Sequence, residues 1–192
     1  MRWKKLSYDE IWKGIEACHM NVCRLLESAK RELNAKSYGT ATMLSILALE
    51  EQGRKLALFG AYLGLIEIDY AWWKTMFRSH EEKIALLWLG LLTYAMEKKG
   101  EIDFKNLDKM TSIDSEASTN MGKQLQKQKE LAMYVTFDLE KNAWLDPRMI
   151  TKAKCVSVYR QALRSIRSTD KYMLELGEDE ESPAGQHQRA MC

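Results

Sequence analysis

The chain has 192 residues, 46% of them hydrophobic and 29% charged, enough for one globular domain with its own core and without a signal of a second. Ten glycines and two prolines leave long stretches without helix breakers, which argues against a sheet-rich or low-complexity chain. The net charge of +2 does not mark a dedicated nucleic-acid binder, although setting aside the acids Glu178, Asp179, Glu180 and Glu181 leaves a body of about +6.

SYDE at 7–10 is a capping box, with Ser7 as N-cap and Glu10 reaching back. Ile11, Ile15, Met20, Val22, Leu25, Leu26 and Ala29 then recur at helical spacing and predict a first helix over about 8–35. SYGT marks a turn, and a second helix is expected over 39–65. Asp69 can cap a short third element, and SHEE (79–82) is a second capping box that places His80 in the first turn of a helix reaching Lys99. A charged, irregular connection over 100–114 leads to a lysine-rich helix over 115–131. MYVTF (133–137) reads as the one extended segment, NAWLDP as a turn enforced by Pro147, and 149–176 as the last helix. The fold class is therefore all-α: an antiparallel helical bundle with a short extended or β segment near 133–139. One domain is expected over 1–176, and the acidic stretch 177–192 lacks apolar periodicity and is expected to be disordered.

The longest uncharged apolar run, IALLWLGLLTYAM (84–96), has 13 residues, short of the roughly 18 or more that span a bilayer. It reads as a core helix, and no membrane partner is expected. Cys18, Cys23, Cys155 and Cys192 form no CxxC pair, and the N-terminus carries no secretory pattern. Reduced thiols and a cytoplasmic location are expected. Cys18, His19 and Cys23 match no common zinc spacing. With no Gly-rich phosphate loop and no HExxH motif, neither a metal nor a cofactor is expected.

One stretch resists a simple amphipathic reading. In LALEEQGRKLALFG (47–60), Glu50 to Lys55 are six consecutive polar or helix-neutral residues inside an apolar helix. At roughly 100° per residue they sweep more than one revolution, so at least one of Glu50, Glu51, Arg54 and Lys55 must point inward. The bland reading is two exposed ion pairs, Glu50–Arg54 and Glu51–Lys55, at i,i+4. The apolar flanks count against it. His80, at a helix N-terminus with Lys83 one turn on, is the second polar feature. Free N–H groups there attract phosphate, and imidazole exchanges protons near neutral pH. A histidine, two cations and a carboxylate permit RNA cleavage without metal: a base takes the ribose 2′-OH proton and the cations stabilise the crowded phosphate.

Three blocks in order resemble the AbiV family of abortive-infection proteins, a branch of the HEPN helical superfamily. SILALEEQGRKLAL (45–58) resembles its Glu-Glu-x-Gly-Lys helix, WWKTMFRSHEEKIAL (72–86) its aromatic stretch followed by His-x-x-Lys, and KQKELAMYVTFDLEKNAWLDPRMIT (127–151) its later Tyr-Val segment and proline turn. The resemblance points to Glu50, Glu51, Arg54, His80 and Lys83 as catalytic residues. Two departures stand out: Arg54 replaces the family's lysine, and the basic residue four to six positions before His80 is Lys74 rather than arginine.

The resemblance implies a HEPN-like bundle that pairs as a homodimer with its active faces meeting across a twofold axis. It also implies a phage-defence toxin that arrests host translation during infection, with metal-independent cleavage of RNA as the mechanism and a phage-encoded protein as activator. The alternative is a non-catalytic binding module docking a phage or translation component through the same polar face. A third possibility is a structural bundle in which Glu50–Lys55 and His80 form a stabilising network.

Overall fold

The computed structural model describes residues 5–65, 67–98, 115–138 and 142–177. Helix α1 (Tyr8–Asn34) starts at the capping box: Ser7 Oγ accepts the Glu10 N–H, and the Glu10 carboxylate accepts the Ser7 N–H at 2.8 Å. Ile11, Ile15, Cys18, Val22, Leu25 and Ala29 form its buried stripe, while Met20, expected on it, lies on the opposite face and is exposed. Lys36, at φ 63°, turns the chain into α2 (Tyr38–Tyr62).

Helix α2 is the axis of the bundle. It touches α1 along most of its length and also packs on α4, α5 and α6. Ala41, Ala48, Ala57, Ala61, Thr42 and Ser45 are buried around its circumference, so its neighbours approach from several sides. A helix enclosed in this way has no polar stripe to show. It ends at Tyr62, three residues before the expected boundary, and the chain turns away at Gly64 (φ 74°), a left-handed position that suits glycine.

Asp69 caps α3 (Tyr70–Arg78) by accepting the Trp72 N–H at 2.6 Å. Ser79 caps α4 (His80–Lys98) by accepting the Glu82 N–H. α5 (Ser115–Met133) then leads into an extended segment that is shorter and later than MYVTF, β1 (Thr136–Asp138). It pairs antiparallel with β2 (Ala143–Leu145), with Phe137 opposite Trp144. The stretch read as a turn thus holds a strand, followed by a 3-10 turn at Pro147–Met149 that Asp146 caps through the Arg148 N–H. α6 (Lys152–Gly177) closes the bundle. Val22, Ile46, Leu49, Ile84, Leu87, Leu125, Val158 and Ile166, drawn from α1, α2, α4, α5 and α6, meet in the main core. The connection 100–114 and the tail after 177, expected to be irregular and disordered, lie outside the described residues. Among the described residues no helix is long and apolar enough to cross a membrane.

Candidate functional site

Two helices can carry polar groups into one place only if their backbones come close enough, and Gly53 permits this. A Cβ there would lie 1.8 Å from the Lys83 carbonyl oxygen. The polar block of α2 is thereby pressed against the first turn of α4.

Glu50 is 3% exposed and is held from both sides. Its Oε2 lies 2.6 Å from His80 Nδ1, and its Oε1 accepts from Lys129 Nζ at 2.6 Å. A carboxylate oxygen accepts, so the His80 tautomer that fits this contact donates through Nδ1 and carries its lone pair on Nε2. The His80 side chain is 47% exposed, so the site opens to solvent on that side. Glu51 turns to a different partner, taking a two-pronged contact from Arg54 at 2.9 and 3.0 Å. Cys18 of α1 lies behind it. Burial, reinforced by the charge of Glu51, pushes that thiol up to about 12.

Lys83 is 2% exposed and has neither hydrogen bond nor ion pair among the described residues. Burial holds its ammonium below the usual lysine value, and Arg54 adds to this while Glu50 and Glu51 oppose it. A buried cation without a carboxylate of its own, in the first turn of a 19-residue helix, is suited to an incoming anion.

The i,i+4 pairs of the bland reading are not formed. Glu50 bonds to α4 and α5, and Arg54 bonds to Glu51 at i,i+3. Lys55 points the other way, buried against Asp170 of α6 at 2.8 Å and His19 of α1 at 3.1 Å. Gln52, fully buried, donates to Thr169 and Asp170 on that same side. The six-residue block therefore feeds two polar networks on opposite sides of α2. All five residues singled out from the sequence line the first of these or stand beside it.

Lys129 and Asp170 were missed, and His19 and Gln52, though noticed, were given no place in a polar network. A signal for Lys129 existed: it falls on the stripe Gly122, Leu125, Lys129, Ala132, all buried, so a lysine on an apolar face needed a partner. Lys74 is exposed on α3. Among the described residues no group of three or more His, Cys, Asp or Glu could hold a metal. On α1, Glu16 accepts from the Trp12 indole at 3.0 Å while His19 faces Lys55.

A profile of the AbiV family of HEPN domains matches residues 10–167, which takes in the Glu50–His80–Lys129 network and most of α6 but stops short of Thr169 and Asp170. No curated protein and no solved structure matches the chain. The chain belongs to the AbiV family of HEPN-domain proteins.

Proposed function

We propose that this protein is a phage-defence abortive-infection protein that arrests host translation by cleaving RNA at the Glu50–His80–Lys83 cleft, in the cytoplasm and as a homodimer. A phage-encoded protein releases its activity. The observation that carries the chemistry is the buried Lys83, unpaired among the described residues, beside a histidine whose Nδ1 is fixed by Glu50.

His80 Nε2 takes the proton of a ribose 2′-OH, and Glu50 stabilises the resulting imidazolium through Nδ1. The 2′ oxygen attacks the adjacent phosphorus as the bond to the 5′ oxygen breaks. That oxygen leaves with a proton from Lys83 or from the imidazolium, and a 2′,3′-cyclic phosphate remains. Lys83 and the first-turn N–H groups of α4 offset the charge that builds on the phosphate.

A structural reading has its own support, because Glu50 ties α2 to α4 and α5. His80 separates the two readings, since a half-exposed side chain contributes little to stability. The wild type and His80→Ala are induced with and without phage while RNA integrity, protein synthesis and melting temperature are followed. Loss of toxicity at an unchanged melting temperature is expected. Loss of the fold would favour the structural reading, and toxicity with intact RNA would favour a non-catalytic binder.

A further inference from the structure

The first eighteen residues of α6 carry Lys152, Lys154, Arg160, Arg164 and Arg167, and no carboxylate appears before Asp170. Arg160 and Arg164 are exposed, and neither takes a hydrogen bond or ion pair among the described residues. They border a groove of about 710 Å³ between α6 and α4, shared with Ser157, Gln161, Ser165 and Trp88. That size lies in the range of about 300–1,000 Å³ usual for ligand clefts. Trp88 is partly buried against the main core, and its indole Nε1–H is buried with no acceptor among the described residues.

Two unpaired guanidinium groups beside an aromatic ring, with small hydroxyl and amide side chains between them, form a surface for an anionic chain that also presents flat rings. A purely anionic peptide would satisfy the arginines and leave the indole without a role. We propose that this groove binds single-stranded RNA, with Arg160 and Arg164 on consecutive phosphates and Trp88 against a base. The inference rests on RNA being the target of the protein, though not on its being cleaved. Trp88 lies eight residues beyond His80 on the same helix, about 12 Å along the axis. A dinucleotide held at His80 therefore does not reach the groove, whereas a longer strand following α4 does.

The test uses a short fluorescein-labelled single-stranded oligoribonucleotide and the full chain, with binding read by anisotropy at several salt concentrations. Arg160→Glu/Arg164→Glu is expected to weaken binding at least tenfold and to flatten the slope of log affinity against log salt by about 0.7 per lost contact. Both positions are exposed, so the variant is expected to fold. Lys30→Glu, a charge reversal at an exposed position of α1, is expected to change affinity less than twofold. Trp88→Leu is expected to weaken binding about fivefold or more.

Equal losses from the α6 and α1 reversals, or no loss from the α6 variant, would overturn the groove. Absence of oligonucleotide binding by the wild type would overturn it as well. Cleavage is scored separately. Binding that depends on α6 but is never followed by a cut, with or without phage protein, leaves the groove standing and removes the ribonuclease. Cleavage of oligonucleotide and dinucleotide alike by the α6 variant removes the groove and leaves the ribonuclease.

Discussion

Lys129 and Glu50 are 4% and 3% exposed and meet at 2.6 Å, so each charge depends on the other. Lys129→Met should cost about 3–5 kcal/mol, because Glu50 keeps its buried charge with only a half-exposed histidine to answer it. Glu50→Gln/Lys129→Met should recover most of that loss in urea unfolding, since no lone buried charge remains. A double variant no more stable than the single one would show that the pair is not the source of the effect. Lys83 makes a different prediction. Its ammonium titrates below the ordinary lysine value of 10.5, so between its own value and 10.5 the unfolded chain binds more protons and stability rises with pH. The raised Cys18 and Tyr62 act with the opposite sign, their unfolded forms ionising first as pH climbs. The difference between wild type and Lys83→Met, followed by urea unfolding through the alkaline range, isolates the lysine. Wild-type stability should rise relative to the variant across that window, and sulfate should oppose the trend by keeping Lys83 charged. That the block 50–55 must send charge inward followed from helical geometry alone. Which partner receives it did not, because Lys129 and Asp170 lie 79 and 115 residues away from the residues they hold.

At the scale of the elements, the site depends on how closely α2 approaches α4. Gly53→Ala would drive a Cβ into the Lys83 backbone at 1.8 Å, and a carbonyl in a helix cannot swing aside as a side-chain tip can. The helices must separate, at a cost of roughly 1–3 kcal/mol or more, and Glu50 then parts from His80. Gly90→Ala, on the same helix pair, meets only the end of the Leu56 side chain at 2.3 Å, so it should cost less than half as much and leave toxicity intact. Comparing the two variants by thermal melting and by growth after induction separates the site from general packing. The helices themselves were legible. Ser7, Asp69 and Ser79 mark their starts with oxygens that bond the expected N–H groups, and apolar stripes give α1 its buried face. The hairpin was only half legible. Trp144 is exposed in a three-residue strand, and so short a segment with its aromatic facing out has no alternation to read. Its pairing with β1 rests on Asn142 taking a left-handed φ of 49°, a conformation that asparagine tolerates better than most residues.

The whole molecule raises the question of what covers the open side of the cleft. The apolar surface of α2 is spent inside the protomer, enclosed by four other helices, and so supplies no argument of its own for a second copy. The case for a second copy now rests on the site. His80 stands half exposed at the mouth of a cleft whose other members, Glu50, Lys83 and Lys129, are buried. A twofold pairing about that mouth would set two histidines and two cationic pockets along one strand of RNA, with the same residues facing each other from both sides. Sedimentation at micromolar concentration should then give a species of twice the 22.3 kDa chain mass. Glu82→Arg, exposed beside His80 on the first turn of α4, should shift that species toward monomer and lower toxicity together, because it replaces two carboxylates near the axis by two cations beside the two cationic pockets. A dimer indifferent to Glu82→Arg would place the axis elsewhere on the surface. A chain that stays monomeric while remaining toxic would mean that each protomer works through its own open cleft.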